Sequence, residues 1–279
     1  MAEVRVNIHF YRKWKLAEPN GSIPESNGSA PNPMEAFQTQ WEHLEGVQKH
    51  PQLISDTVFS RKETTILSSE HSEKIEHLQN QMGFEAFRHA YRAAIKEVRT
   101  KIEILSEDFA VRHDYNPIHH MERRLKVPAS IEEKLERLKK EVSIESAREN
   151  IFDIAGIRVV CNFIDDVYAI ADMLTSQNDV TLITEKDYIK NPKPNGYRSL
   201  HLVISVPVYL LDGEEEVPVE IQLRTVAMDF WASLEHNLRY KKEKNIPSKI
   251  DFELKACAEV SATLDRRMQK IFDELNRLE

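Results

Sequence analysis

The sequence predicts an α+β fold, because segments with a strand pattern and segments with a helix pattern succeed one another along the chain. Apolar and polar residues alternate over about residues 200–210 and 217–223, and Asp212-Gly213 between them is a hairpin turn signal. A stripe of apolar residues at helical spacing runs from Phe84 to Leu105. We therefore expect a sheet that is covered by helices.

The composition is that of a globular protein, with 41% hydrophobic and 30% charged residues among 279. No apolar run is long enough to cross a bilayer, and the N-terminus lacks the basic-then-apolar pattern of a signal peptide. The two cysteines, Cys161 and Cys257, have no metal-binding spacing. These observations predict a cytoplasmic protein with no membrane partner.

Charge and glycine usage narrow the possible nucleotide sites. The net charge of −8 argues against a polyanion-binding protein, so a nucleotide site would depend on a local basic cluster. The seven glycines form neither G-x-x-x-x-G-K-[ST] nor G-x-G-x-x-G. The sequence therefore argues against a P-loop or a Rossmann phosphate cradle.

The N-terminal third carries no chemical motif. Residues 4–10 alternate as in a short strand, residues 17–33 are a linker rich in Pro, Asn, Gly and Ser, and residues 33–53 have helical spacing. A longer helix is predicted over about residues 70–110, and Asn116-Pro117 ends it.

Residues 119–140 are rich in basic side chains. Ser130 is predicted as the N-cap of a helix, with Glu133 at capping-box spacing. One interpretation is a solvated helix face with i,i+4 ion pairs. The other is a triphosphate clamp near a helix N-terminus, which favours anions. That clamp would consist of Arg124, Lys126, Ser130, Lys134 and Arg137.

Residues 151–163 have the apolar density of a central strand, and Asp153 and Arg158 are its exceptions. An aspartate near a strand start is often a turn residue, whereas an arginine on an apolar strand needs a partner. A short helix over residues 165–177, a strand near residues 180–183 and a loop to residue 199 follow.

The second hairpin strand places Glu220, Gln222 and Arg224 on one face and apolar residues on the other. The Asn195-Gly196 turn and His201 would lie near this polar face. A half-solvated strand is the ordinary explanation, and an active site is the alternative.

Two helices are predicted after this strand, over residues 226–242 and about 249–278. The second has apolar residues at spacings of three and four, as in a coiled-coil seam or an internal packing face.

Five segments, in order, resemble the synthetase domain of the RelA/SpoT family over about residues 112–242. They are R-L-K-V-P-A-S-I-E-E-K, D-I-A-G-I-R, N-G-Y-R-S-L-H-L, E-I-Q-L-R-T and W-A-S-L-E-H. The resemblance implies a mixed sheet flanked by helices, related to nucleotidyltransferases. It also implies a small alarmone synthetase of the bacterial stringent response, which moves the pyrophosphate of ATP onto the 3′-hydroxyl of GDP or GTP and releases AMP.

The resemblance also assigns roles to residues. Asp153 and Glu220 would bind Mg²⁺, and Glu220 would also take the proton of the 3′-hydroxyl. The donor would be held by the basic clamp and Arg158: Arg124, Lys126, Ser130, Lys134, Arg137 and Arg158. The acceptor residues would be Tyr197, which stacks on guanine, His201 and Gln222, which orient the nucleotide, and Lys193, near its phosphates. Asp229 stands where small members often carry Asn.

We expect an N-terminal extension at residues 1–70, a synthetase domain at 71–245 and a C-terminal helix at 246–279 that contributes to a homo-oligomer, a dimer or tetramer. No H-D pair of a metal-dependent hydrolase occurs in residues 1–70, ahead of the expected synthetase domain, so hydrolysis of the product is not expected. The alternatives are a toxic relative that modifies the 3′ end of tRNA, a non-catalytic guanine-nucleotide-binding module, and an α+β domain of another function.

Overall fold

The computed structural model describes residues 83–113, 115–240 and 247–278. The strand predicted at residues 4–10, the helix at 33–53 and the start of the helix at 70–110 lie outside these residues. The described residues up to Ile271 belong to one compact unit.

Five strands form one sheet in the order β1-β2-β5-β4-β3. They are β1 (Ile118–Leu125), β2 (Ala155–Cys161), β3 (Thr181–Asp187), β4 (Leu200–Leu210) and β5 (Gly213–Thr225). β2 and β5 are parallel, and the other three neighbouring pairs are antiparallel. The predicted α+β class with a mixed sheet is therefore confirmed.

Six helices connect and cover these strands in the described residues. They are α1 (Phe84–His113), α2 (Pro128–Arg137), α3 (Ile144–Asn150), α4 (Ile164–Thr175), α5 (Val226–Tyr240) and α6 (Ser248–Leu275). None of them combines the length and the apolar character that a membrane span requires.

The hydrophobic core lies on one face of the sheet. α1 buries Phe87, Tyr91, Val98 and Ile102 at helical spacing, and these side chains join the apolar residues of β2, β4 and β5 in one cluster. The polar residues of β5 therefore lie on its opposite face.

The predicted hairpin of β4 and β5 is confirmed. Leu210 pairs with Gly213, so Leu211 and Asp212 form the loop, one position earlier than the turn signal suggested. Gly213 has a φ of +125°, a conformation that glycine adopts at little cost.

The boundaries differ from the prediction in several elements. β1 and α3 were not predicted, and β3 continues to Asp187 through residues that were predicted as loop. β1 is a polar strand whose sequence has no clean two-residue alternation, and all of β3 except Asp187 is exposed, so both depend on pairing with a neighbour.

The prediction that Ser130 caps α2 was wrong. Val127 is the N-cap, with extended angles of φ −73° and ψ 153°, and it makes no side-chain capping bond. Pro128 occupies the first helical position because its fixed φ suits that site. Ser130 already lies inside the helix, and its N–H donates to the carbonyl of Val127 over 3.0 Å.

Candidate active site

A row of polar residues crosses the sheet in register. Glu122 pairs with Arg158, Arg158 with Gln222, Gln222 with His201, and His201 with Lys186. The row thus takes one residue from each of the five strands. Because side chains of directly paired residues point to the same face, this face carries one continuous polar surface.

Glu220 lies in the next row of the same face. It pairs with Gly156 on β2 and with Val203 on β4, and Gly156 in turn pairs with Arg124 on β1. The alternation predicted for β5 is therefore confirmed. Gly156 lies between Arg124 and Glu220, and an added Cβ would meet Arg124 O at 3.7 Å and Glu220 O at 3.9 Å, which are ordinary van der Waals contacts.

Two lysines hold Asp153 just before β2. Lys134 on α2 donates to Asp153 Oδ1 over 2.7 Å, and Lys126 donates to Oδ2 over 3.1 Å. Burial opposes ionisation of Asp153, but the two ammonium groups outweigh it and hold the pKa of the carboxyl below its usual value. Burial also lowers the pKa of Lys126, against the attraction of Asp153. The carboxylate and both cations are thus brought together at one end of the sheet.

Glu220 is held by two side chains of neighbouring positions. Gln222 Nε2 donates to Glu220 Oε2 over 3.0 Å, and His201 Nδ1 lies 3.4 Å from Oε1. Burial and the charge of Asp153 raise the pKa of Glu220, but the hydrogen bonds from His201 and Gln222 prevail and leave it below its usual value. Glu220 is therefore ionised at neutral pH.

The ring of Tyr197 is surrounded by groups that fix it. Its hydroxyl lies 2.8 Å from His201 Nε2 and accepts a hydrogen bond from Arg224 Nη2 over 2.6 Å. The ammonium of Lys193 lies 4.7 Å from the centroid of this ring and 4.6 Å from that of Tyr188. An aromatic surface with adjacent cations results, which suits a nucleobase with its phosphates.

Arg224 and Arg158 share a carboxylate on α5. Arg224 Nη1 donates to Asp229 Oδ1 over 2.9 Å, and Arg158 Nη1 lies 3.2 Å from the same oxygen. Arg158 also donates to Glu122 over 3.1 Å. The pKa of Arg158 is lowered first by burial and then by the charge of Arg224, so the two guanidinium groups lie close enough to repel each other.

The turn at Gly196 packs directly on α6. Gly196 has a φ of +92°, and a Cβ at this position would lie 2.6 Å from the Cβ of Ala258. Arg198 donates to Gly196 O over 3.1 Å and to both carboxylate oxygens of Glu259 over 3.1 Å. A side chain at residue 196 would therefore displace the turn that carries Tyr197.

α6 is also tied to the end of β5 and to α5. Thr225 donates to Asp265 over 2.6 Å, and Trp231 Nε1 donates to the carbonyl of Leu254 over 2.8 Å. The position of α6 thus sets the position of the elements that hold Arg224 and Asp229.

The structure brings together most of the predicted site residues, although the roles assigned to them stay predictions. Lys126, Lys134 and Asp153 form one group. Glu220, Gln222, His201, Tyr197 and Lys193 form a second, and Arg158 lies beside it. Arg124 and Arg137 are exposed, and Ser130 is half-buried on α2.

Four contributors were missed or left without a role. Arg224 had been placed on the polar face, and its 4% exposure shows a charge that is buried among partners. Tyr188 lay in a segment predicted as loop, and Glu122 in a strand that was not predicted. Glu235 is part of the support, since its Oε1 accepts from Asn195 over 3.2 Å and from Arg239.

Asp153 and Glu220 are the two carboxylates predicted to bind a metal ion. The charge of Asp153 raises the pKa of Glu220, so the two carboxylates lie close enough to interact. No group of three or more His, Cys, Asp or Glu side chains able to hold a metal occurs among the described residues. Two carboxylates alone suit a hard cation that takes its other ligands from water and substrate phosphates.

Comparison with known proteins gives a consistent result. A sequence profile of the region found in RelA and SpoT proteins matches residues 123–245. The chain is 44% identical to the GTP pyrophosphokinase YwaC of Bacillus subtilis over 186 residues, which cover 67% of this chain and 89% of YwaC. It is 39% identical to the GTP pyrophosphokinase YjbM of the same organism over 192 residues, or 69% of this chain and 90% of YjbM.

A solved structure matches a similar share of the chain. The crystal structure of small alarmone synthetase 1 from Bacillus subtilis bound to its product pppGpp superposes with a TM-score of 0.64 at 38% identity. The match covers 70% of this chain and 98% of that chain. The similarity therefore extends over nearly the full length of each of these proteins.

Proposed function

The chain belongs to the RelA/SpoT family, and we propose that it is a small alarmone synthetase, a GTP pyrophosphokinase. It transfers the β,γ-pyrophosphate of ATP to the 3′-hydroxyl of GDP or GTP and releases AMP. The observation that carries this proposal is that the Lys126–Asp153–Lys134 group, at the end of the sheet, lies close enough to the Glu220–His201–Tyr197 group for the charge of Asp153 to act on Glu220. The first group suits a polyphosphate donor, and the second suits a nucleoside acceptor.

ATP binds at the Asp153 end of the sheet. Lys126 and Lys134 neutralise phosphate oxygens, and the N-terminus of α2 adds the partial positive charge of its backbone N–H groups. Arg124 and Arg137 are exposed cations and are available to the phosphates. Ser130 offers a hydroxyl in the first turn of α2, and Arg158 packs on the adenine and faces the phosphates.

The acceptor binds at Tyr197. Its ring stacks on guanine, and the adjacent Lys193 ammonium contacts the nucleotide phosphates once the base has taken its place over the ring. His201 and Gln222 orient the ribose, because both side chains flank Glu220 on the same face.

Glu220 accepts the proton of the 3′-hydroxyl. The oxygen then forms a bond to the β-phosphorus of ATP, and the bond between this phosphorus and the α,β-bridging oxygen breaks, so that AMP leaves. The lowered pKa of Glu220 keeps it ionised and ready to accept a proton at neutral pH. Positioning and charge neutralisation supply most of the rate, as in other phosphoryl transfers.

Mg²⁺ is the cation that fits Asp153 and Glu220, since it binds one or two carboxylates together with substrate phosphates. Bound there, it would supply further neutralisation of the developing phosphate charge. Glu220 then serves both as a ligand and as a base.

Residues 71–245 are assigned to the synthetase domain, 1–70 to an N-terminal extension and 246–279 to a C-terminal helix that joins copies of the chain. An exposed apolar stripe on α6 supports the last assignment: Val260, Leu264, Met268 and Ile271 are each 45% or more exposed. A dimer or tetramer would cover it. The nucleotide substrates and the free thiols of Cys161 and Cys257 fit a cytoplasmic location.

The test of this function uses ATP labelled at the γ-phosphate. The full chain is incubated with Mg²⁺ and the labelled ATP, and with GDP, GTP or deacylated tRNA as the acceptor. Label on the guanine nucleotides would establish alarmone synthesis and rank the acceptors. Label on tRNA alone would identify the toxic activity, and no transfer to any acceptor would favour a binding module.

A further inference from the structure

One carboxylate oxygen joins two arginines that the proposed function relates to different substrates. Asp229 Oδ1 accepts from Arg224 Nη1 at 2.9 Å and lies 3.2 Å from Arg158 Nη1. The three side chains come from α5, β5 and β2, and their exposed fractions are 16%, 5% and 18%. Since solvent barely reaches this group, the interactions within it are weakly screened.

Arg224 contacts two residues of the proposed acceptor site. Its Nη2 donates to the Tyr197 hydroxyl over 2.6 Å and to Gln222 Oε1 over 3.1 Å, and its guanidinium carbon lies 5.1 Å from the centroid of the Tyr197 ring. All of these contacts depend on the direction of the Arg224 fork. The bond from Nη1 to Asp229 fixes that direction, because the guanidinium is planar.

Arg158 is a donor residue in the proposed function, and its positive charge opposes that of Arg224. After burial, the charge of Arg224 is the largest influence that lowers the pKa of Arg158. Asp229 offsets this repulsion, but the same oxygen, Oδ1, interacts with both guanidinium groups. Phosphate oxygens that engage Arg158 would remove both the repulsion and the competition for Asp229.

We propose that Asp229 is a positioning residue that couples the ATP site to the acceptor site. When the phosphates of ATP bind Arg158, Asp229 pairs with Arg224 alone. Arg224 then holds Tyr197 and Gln222 in the geometry that the acceptor requires. ATP and the acceptor therefore bind with positive cooperativity. This inference rests on the proposed function, because it takes Arg158 as a donor residue and Tyr197 as an acceptor residue.

Thermodynamic linkage makes the effect reciprocal. If ATP raises the affinity for GDP by a given factor, GDP raises the affinity for ATP by the same factor. The coupling is thus measurable in binding experiments, without turnover.

The experiment measures GDP binding to the full chain by calorimetry, with Mg²⁺ present, and with or without α,β-methylene-ATP. This analogue cannot release AMP, since a methylene group replaces the bridging oxygen. In the wild type we expect the analogue to tighten GDP binding by about fivefold or more, the lower end of ordinary allosteric coupling. Asp229→Asn keeps the shape and removes the charge, and its coupling factor should fall to about one.

Glu122→Gln is the matched control. Glu122 also pairs with Arg158, at 3.1 Å, but has no contact with Arg224, so this variant should keep the coupling. Circular dichroism checks that each variant is folded. If Asp229→Asn fails to fold, Arg224→Lys tests the same link, because an ammonium lacks the planar fork that joins Asp229 to Tyr197 and Gln222, and it should also lose the coupling.

The outcomes separate the inference from the proposed function. A wild-type coupling factor near one, unchanged coupling in Asp229→Asn, or an equal loss in Glu122→Gln would overturn the inference. Coupling that disappears in Asp229→Asn alone supports it. The γ-labelled ATP assay on the wild type tests the proposed function separately. Synthesis without coupling would refute only the role of Asp229. Coupling without synthesis would refute the synthetase activity but not the link between the two sites.

Discussion

The hydroxyl of Tyr197 lies 2.8 Å from Nε2 of His201, and the other ring nitrogen of His201 faces Glu220 at 3.4 Å. A guanidinium can only donate, so the Tyr197 hydroxyl accepts from Arg224 and has its own hydrogen for His201. One imidazole thus connects Tyr197, which we propose stacks on the acceptor, with Glu220, which we propose takes its proton. A shift of the bound guanine base would therefore change the environment of the acceptor hydroxyl.

Two substitutions of Tyr197 measure the contributions of its ring and of its hydroxyl separately. Tyr197→Ala removes base stacking, which contributes about 1–3 kcal/mol per base, so affinity for GDP should fall by roughly 5- to 150-fold while affinity for ATP alone changes little. Tyr197→Phe keeps the ring and loses the bonds to His201 and Arg224, and should cost less affinity. Calorimetry with each nucleotide measures both. An equal loss for the two nucleotides in Tyr197→Ala would instead indicate a collapsed site.

Glu220→Gln should abolish transfer without loss of the fold. The amide keeps the shape of the side chain on β5 but cannot accept the proton or bind Mg²⁺ as a carboxylate does, so we expect a loss of at least about 100-fold. Turnover with labelled ATP and circular dichroism measure the two properties. Glu216→Gln, at the exposed end of the same strand, is the control and should remain active. Turnover of Glu220→Gln near the wild-type level would remove Glu220 from the mechanism.

Asp153 should stabilise the fold in a pH-dependent manner. Its pKa is below the unfolded value of 3.8, so its contribution is fully present above about pH 4 and is lost as the pH falls through the folded pKa. Asp153→Asn should lower the free energy of unfolding by about 1–3 kcal/mol at pH 7, since it leaves the bonds of two ammonium groups weakened. Urea unfolding of both proteins from pH 7 to pH 3 measures this difference. A difference that stays constant over this range would contradict the assignment.

Gly196→Ala should destabilise the protein and weaken GDP binding. The φ of +92° costs a side chain about 1–2 kcal/mol, and the new Cβ would lie 2.6 Å from that of Ala258. Gly83→Ala is the matched control, because Gly83 has a φ of +91° with nothing within 4 Å of the added Cβ. Thermal unfolding of both variants isolates the cost of the contact with α6.

A double variant tests that contact directly. Ala258→Gly removes the opposing methyl group, so it should restore part of the stability and of the GDP affinity lost in Gly196→Ala. If the two substitutions are simply additive, the contact between the turn and α6 does not hold the acceptor site.

Charges on the exposed stripe of α6 should break the oligomer that we propose. Val260→Glu with Leu264→Glu places two carboxylates on apolar side chains that are 70% and 53% exposed, and burying unpaired charges is costly. Light scattering after gel filtration should show a smaller mass than for the wild type. Arg266→Glu adds an acidic residue to the helix outside the stripe and should keep the wild-type mass. Equal masses for all three proteins would remove this stripe from the subunit contact.

The hairpin and its polar face followed from the sequence alone. Successive side chains in a strand point to opposite faces, so the order Val219, Glu220, Ile221, Gln222 determines which residues face the core and which face the candidate site. The turn residues Asn195 and Gly196 marked the segment that carries Tyr197. These features are local, and each depends on the residues of one segment.

The relationships among segments required the tertiary structure. Parallel pairing places Arg158 beside Gln222, and α5 brings Asp229 between Arg158 and Arg224. β1 has a polar sequence and forms a strand because β2 offers it an open edge. Which strands pair, and in which register, depends on how apolar faces from distant parts of the chain are buried together. The sequence therefore determined the chemical groups of the site, and only the packed fold decided which of them share a hydrogen bond.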